Sequence, residues 1–479
     1  VARFGRFVPV LVLVLVAACS DTTDSDGAPA TDRTDPSATE RSAAPTTSVG
    51  PTTSELPVPG TDVEPVPSES EPESEREREP EPEPDASVAD DSTPDGSSTS
   101  APPSVGDVAG SEPAGTPAYE LVAALTSDRL GGRDNRTAGN EAARDLLIEE
   151  LSTFADPAFP GRGGVDGYVQ EFDLGTNIIA VVPGTDLADE YVLIGAHYDS
   201  VGPDKCREIG SRGDTICNGA TDNAAGVAAV VEIARAIAAG GPPRRSLVVA
   251  LWDAEEDTLA GSRHYISSPV VPLADTVAYV NFDIQGAQLT PATADWTVVQ
   301  AADTGGPPLV EATESAIAGS NLHYLSLGVA VSPTRSDHDS LLRGGVPSVS
   351  FGDGTNGCYH TVDDELEVVD FDKLAEQIAV AERLVADLVD TDSPPVTPSE
   401  RPTPSFEDLS QLHDLFEAIE ADVALLPDGA EEYLAEVRAA LAAVVAGGAD
   451  AFDPTGLADT LRRGFLLEAY LSDLPCTPV

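Results

Sequence analysis

Short apolar runs recur through the middle of the chain, and four of the five lead into polar clusters. They cover 178–182, 191–196, 247–252, 277–282 and 346–351. Their length and apolar content predict buried strands. Two helical patterns are interleaved. Residues 138–154 place Leu146, Leu147 and Leu151 on one face, and 223–239 is a run of small residues. Strands alternating with helices predict an α/β fold: a mixed, mostly parallel, twisted sheet with helices on both faces. A Pro- and Ser-rich break over 390–404 follows. Beyond it, Phe416, Ile419, Val423 and Leu426 form one stripe, and Tyr433, Val437 and Leu441 another. These predict a small C-terminal helical domain with no catalytic group. The expected parts are the sheet domain over 117–392, a linker over 393–405 and the helices over 406–479.

The first 116 residues read differently. Arg3 and Arg6 precede an apolar run over 7–16 that is too short to span a bilayer comfortably. Val16-Ala17-Ala18-Cys19 then resembles a bacterial lipobox, in which Cys19 is acylated and anchors the chain to the membrane. The alternative is an ordinary signal peptide with an incidental Cys. Residues 1–19 are therefore expected to be a lipoprotein signal. Residues 20–116 are Pro, Ser, Thr, Glu and Asp with hardly any aromatic residue. Such a segment cannot offset its ordering entropy and is expected to be a disordered acidic spacer. The expected location is the cell envelope, on the outer face of the cytoplasmic membrane, or secreted. The chain has no Met and opens on Val1, consistent with a non-standard initiation codon written literally or a slightly misplaced start.

Charge and cysteine content narrow the class. A formal net charge of −57 argues strongly against nucleic-acid binding, because a phosphate backbone would be repelled. Five cysteines occur, Cys19, Cys206, Cys217, Cys358 and Cys476. Setting Cys19 aside leaves an even number for an oxidising compartment. Cys206 and Cys217 flank a short polar loop and form the first expected disulfide. Cys358 and Cys476 are the remainder. The Arg212-Gly213-Asp214 tripeptide in that loop is read as coincidence.

The chemistry lies where the buried runs end. His197-Tyr198-Asp199 follows the run ending at Ala196. Asp253-Ala254-Glu255-Glu256 follows Trp252. Val280 leads into Asn281-Phe282-Asp283, and Tyr359-His360 comes after the run ending at Phe351. In an open α/β sheet the C-terminal strand ends gather along one edge, where ligands bind. Four clusters of histidine and carboxylate at one edge are too costly to be accidents of packing. Gly219-Ala220-Thr221-Asp222-Asn223-Ala224-Ala225-Gly226 sets Asp222 at the entrance of the small-residue helix, where the helix N-terminus favours a carboxylate. Two histidines, two carboxylates and one shared carboxylate suffice for two zinc ions, and the Glu255-Glu256 doublet offers one ligand and one base.

These words together resemble the zinc-dependent exopeptidase family of secreted bacterial aminopeptidases, which also contains glutaminyl cyclases and glutamate carboxypeptidases. Ser336-Asp337-His338 and the segment 132–141 fit the same pattern. The resemblance runs over about 117–392. It implies that His197 and Asp283 bind one zinc, that Glu256 and His360 bind the other, and that Asp222 bridges them through a turn with a cis peptide to Asn223. It implies that Asp199 orients His197, that Glu255 is the general base, and that Tyr359 donates a hydrogen bond to the developing oxyanion; for Tyr359 a packing role stays open. It therefore implies an aminopeptidase acting on peptides. A carboxypeptidase or another amidohydrolase with the same site is the alternative, which Arg335 meeting a substrate carboxylate would favour. A catalytically dead binding lipoprotein is the third reading. Glutaminyl cyclases act with one zinc, whereas a full ligand set for two stands here. The family's second Cys soon after Tyr-His is absent, which leaves Cys358 without a local partner. The lengthened loop over 203–217 is expected at the pocket mouth, and the segment 290–335 is expected to carry specificity. His338 is left between orienting and substrate contact, and Asp337 shares that position. His264 and His323 are read as surface or packing residues, His413 as outside the site and Trp252 as core. No Gly-x-Ser-x-Gly elbow or His-Glu-x-x-His helix occurs.

Overall fold

The computed structural model describes residues 115–207, 213–332, 334–427, 429–454, 457, 471–472 and 474–476. The expected signal, Cys19 and nearly all of the spacer lie outside the described residues. So does the whole of the compact unit spanning 1–102, and the described fold is that of the unit from 103 onward.

Among the described residues, nine strands form one sheet in the order β1-β3-β5-β4-β6-β9-β7-β8, with β2 paired to β3. In chain order they are β1 (Asp156–Pro157), β2 (Val169–Phe172), β3 (Gly175–Val182), β4 (Leu187–His197), β5 (Arg245–Trp252), β6 (Thr276–Phe282), β7 (Trp296–Gln300), β8 (His323–Leu327) and β9 (Ser348–Gly352). The centre, β5-β4-β6-β9, is parallel throughout. Antiparallel pairings flank it, at β3 with β5 and at β7 with β9. The sheet is thus mixed around a parallel core, as the sequence predicts.

The continuous apolar runs are explained by their two faces. Val192, Ile194 and Ala196 of β4 and Leu247, Val249 and Leu251 of β5 point into one core, with α1 (Pro117–Leu125), α2 (Ala138–Leu151), α3 (Ala225–Gly240), α5 (Gly306–Ile317) and α7 (Phe371–Asp390). The alternate residues Leu193, Val248, Ala250 and Trp252 enter a second core with α4 (Ala260–Ser267) and α6 (His338–Arg343). Both sides of every central strand are therefore covered, which is what parallel sheets require. The stretch Ala220–Gly240 is long and apolar enough to cross a bilayer. Its ten buried residues from Ala225 to Ile237, packed onto β4 and β5, account for that composition.

The C-terminal helices α8 (Phe406–Ile419) and α9 (Ala430–Gly447) form a third core with β8, the last strand of the sheet. An edge strand leaves unpaired amides, and α8 takes two of those beside it. Ser326 N donates to Gln411 Oε1 at 2.6 Å, and Gly328 N donates to Asp408 Oδ1 at 2.7 Å. The other oxygen of Asp408 completes the capping box with Ser405 that starts α8. Two of the predicted helical stretches end early. Helix α2 ends at Leu151 rather than 154, and α8 gives way at Glu420 to a 3-10 turn, so Val423 and Leu426 do not continue its stripe.

Candidate active site

The four central parallel strands end together, and each delivers one part of the site. His197 closes β4, Glu255 and Glu256 follow β5, Asp283 follows β6, and Tyr359-His360 lie on the loop after β9. Asp222 arrives on the turn that opens α3, where it and Asn223 leave helical geometry and share a cis peptide bond. Two glycines make this turn possible. A Cβ on Gly219, at φ +58°, would stand 2.3 Å from Asp222 O, and one on Gly226 would stand 2.0 Å from Asn223 Oδ1. Asn223 Nδ2 donates to Phe282 O at 2.9 Å and ties the turn to β6.

The polar atoms form two groups that share one carboxylate. His197 Nε2 lies 3.1 Å from Asp222 Oδ1 and 3.4 Å from Asp283 Oδ1. His360 Nε2 lies 3.3 Å from Asp222 Oδ2 and 3.1 Å from Glu256 Oε2. Zinc binds such atoms at about 2.0–2.1 Å, which puts neighbouring tetrahedral ligands about 3.3 Å apart. Among the described residues, His360 Nε2 and Glu256 Oε1 are buried with no aligned hydrogen bond. Five carboxylates, Asp199, Asp222, Glu255, Glu256 and Asp283, surround two imidazoles. Buried charge of one sign in that excess calls for cations. The donor set fits two zinc ions, one to each group, with Asp222 offering one oxygen to each.

Asp199 is 1% exposed and braces both sides of the cluster. Its carboxylate lies 3.5 Å from His197 Nδ1 and accepts from the backbone N–H groups of Glu255 and Glu256 at 3.1 and 3.2 Å. Burial pushes Glu255 well above the ordinary carboxylate range, and Asp283, Asp337 and Glu256 add to this against the pull of His197. Burial also lifts Glu256 to about 7. Asp222 goes the other way. Its burial is outweighed by His197 and His360, which hold it below the usual range. The Tyr359 ring stacks on His360 with centroids 3.7 Å apart, and its side chain lines the cavity.

All eight residues singled out from the sequence thus come together. Sequence reading missed the residues that hold them. Asp364, 2% exposed, accepts from Thr221 N, Thr221 Oγ1 and Asp222 N at 2.9, 2.8 and 3.1 Å. Arg133, fully buried, donates to the carbonyls of Leu125, Tyr198, Asn218 and Gly219 and so clamps the loops on either side of Asp222 and His197. Asp253 accepts from Asn140 Nδ2 and Thr176 N. Arg133 stands inside the segment 132–141 that resembled the family, but its acceptors are backbone carbonyls up to 86 residues away, and no side-chain pattern announces them.

Other expectations are placed as follows. His338 is fully buried at the cavity wall, and burial lowers it to about 4. His264 stacks on Phe172 and His323 on Trp296. Trp252 is core. Cys206 bonds Cys217, and Cys358 bonds Cys476, 118 residues on. The described part of the 203–217 loop braces the site instead of lining its mouth: Arg207 N donates to His360 O at 2.9 Å. The segment 290–335 supplies Val298, Gln300, Leu327, Val331 and Arg335 to the cavity.

Residues 177–385 match peptidase family M28. The protein named probable lipoprotein aminopeptidase LpqL, from Mycobacterium tuberculosis, is 34% identical over 247 residues, covering 47% of this chain and 45% of that protein. Leupeptin-inactivating enzyme 1 of Streptomyces exfoliatus is 30% identical over 172 residues, covering 35% and 34%. A probable glutamate carboxypeptidase of Arabidopsis thaliana, AMP1, is 33% identical over 118 residues, covering 23% and 15%. The chain spans less than half the length of each of these relatives. Among solved structures, Porphyromonas gingivalis glutaminyl cyclase aligns with a TM-score of 0.46 at 21% identity, over 57% of this chain and 97% of that one. The matched residues 177–385 carry every residue of the cluster, and over them the chain is similar to peptidase family M28.

Proposed function

We propose that this protein is a di-zinc aminopeptidase that removes N-terminal residues from peptides outside the cytoplasm. The observation that carries the reading is the pair of donor groups joined through Asp222, opening into a cavity of about 400 Å³ that also holds Glu255 and Tyr359. His197 and Asp283 would hold one zinc, Glu256 and His360 the other, and Asp222 both. Bound there, the ions would supply an activated water and polarise the scissile carbonyl. Glu255 takes the proton of the attacking water and passes it to the leaving amine. Tyr359 donates to the oxygen that gains charge. Asp199 keeps His197 and the Glu255-Glu256 backbone in register. The names of two relatives, a probable lipoprotein aminopeptidase and an enzyme that inactivates leupeptin, support the reading. The first also supports a lipidated Cys19 and a place in the cell envelope, with 20–116 as the tether.

The test is hydrolysis of unblocked aminoacyl anilides by the full chain, with N-acetylated controls, before and after chelation and with zinc restored. Zinc-dependent cleavage of unblocked substrates alone is expected. A second reading, a carboxypeptidase, has one observation in its favour: Arg335 lines the same cavity. Cleavage confined to substrates with a free C-terminus would move the assignment there.

A further inference from the structure

We propose that the C-terminal helices form the specificity wall of the active-site cavity and select substrates whose residue at the scissile carbonyl carries a bulky apolar side chain. This rests on the exopeptidase reading and names its substrate class.

One cavity is lined both by His197, Asp222, Glu255 and His360 and by the helices beyond the sheet. Helix α8 lines it with Leu412, Leu415, Phe416 and Ile419, and α9 with Val437 and Leu441. The α8 positions fall at i, i+3, i+4 and i+7, which is one face of a helix. That face is shared between closing a core with β8 and walling the cavity. Leu289, Val298, Leu327 and Val331 face it from the sheet side. None of these α8 and α9 residues is polar. A charged substrate side chain lying against that face would lose its hydration and meet no partner on α8 or α9. An apolar one gains about fourfold in discrimination for each methylene it buries. A volume of about 400 Å³ is within the range of ligand-sized pockets.

The wall is fixed relative to the metal groups. Gln411 and Asp408 accept from the β8 edge, and Asp422 accepts from Ala292 N. Cys358, next to Tyr359 in sequence, is bonded to Cys476. Arg207 donates to both Tyr359 O and Ser472 O, at 2.6 and 3.2 Å. The metal loop and the C-terminal segment are therefore held on common anchors. The family match ends at residue 385, before α8 begins, so the wall is an addition to the matched domain.

The experiment compares kcat/KM for Gly, Ala, Leu, Phe, Glu and Lys anilides in the zinc-loaded full chain and in two variants. Val437→Trp fills the cavity, and Leu412→Gln places an amide on the half-buried turn of α8. Both are checked for an unchanged zinc content and a cooperative melt. The expected result is a preference of the unaltered protein for Leu or Phe over Ala of about 100-fold, with that ratio falling at least tenfold in each folded variant. A ratio that stays put in both overturns the wall and leaves the aminopeptidase standing. If no anilide is cleaved, the aminopeptidase reading fails, and the wall is tested with straight-chain alkyl hydroxamic acids, which need only the metals. Affinity that climbs with chain length in the unaltered protein and not in the variants supports it. Affinity independent of chain length in all three overturns it.

Discussion

The cavity has two walls that work by different physics. The sheet edge is polar and charged. His197, Asp222, Glu256, Asp283 and His360 stand within contact distance, and Asp199, Asp364 and Arg133 hold them through hydrogen bonds to backbone. The helical wall is apolar, and packing, a few side-chain contacts to the β8 edge and one long-range disulfide hold it. Loss of one atom at the first wall changes the charge on a reacting group. Loss of one atom at the second changes only fit. Damage to the two walls should therefore look different: the first loses rate, the second loses discrimination and local stability.

Glu255→Gln gives the largest expected effect. It removes the proposed proton acceptor and keeps the shape, so kcat should fall by about 10²–10⁴, with zinc content and KM close to those of the unaltered protein. Steady-state kinetics beside metal analysis would check this. A variant retaining more than about a tenth of the rate would remove Glu255 from the reaction. Next in size is Cys358→Ser with Cys476→Ser. The bond closes 118 residues, and its loss should cost about 2–4 kcal/mol. Hydrogen exchange should rise in 406–447 before it rises in the sheet. The Cys206–Cys217 pair closes only 11, and its removal should cost less. Equal losses would mean that the long bond does not hold the helical wall.

The same contrast decides what the sequence could reveal. His197, Asp222, Glu255 and His360 were legible because buried charge is expensive, and strand ends concentrate it. The central strands were legible because both faces are apolar. Leu412 and Val437 were not legible as pocket residues. Their spacing is that of any core-facing helix, and only the position of α8 against β8 leaves part of that face open to the cavity. The strands β7 and β8 and helix α5 went unread for a related reason: they lie at the sheet margin, where single-faced burial leaves a weak pattern. Asp364 was invisible because it binds amides 142 and 143 residues away, and an amide has no residue type.

Asp364→Asn sharpens the comparison from the polar side. It keeps the volume and turns one acceptor into a donor facing Asp222 N. Zinc affinity, read by competition with a chelator, should weaken by about 10–100-fold while the Leu-to-Ala preference stays unchanged. A shift in preference with unchanged affinity would mean that the two walls are coupled through the loop after His360.

The pH dependence of stability in the metal-free chain tests the polar wall alone, and the raised carboxylates give its sign. Burial lifts Asp253, Glu256 and Asp337 to about 7 and Asp364 to about 6. Unfolded, such groups release their protons near about 4. A raised folded pKa gives stability that is fully present below the unfolded value and is lost as pH rises through the folded one. Asp222 has the opposite sign, but it is held low, so its contribution fades only below this window. His360, pushed up to about 10, works in the same direction as the carboxylates at higher pH. The melting temperature of the chelated protein should therefore fall between about pH 4 and 7. Zinc should flatten or reverse the slope, because it binds the deprotonated ligands. Asp253→Asn and Asp337→Asn should each reduce the slope, and Leu412→Gln in the helical wall should leave it alone. A metal-free protein that grows more stable across that window would mean that the sheet edge satisfies its own charge, and the main physical reason for placing two cations there would be gone.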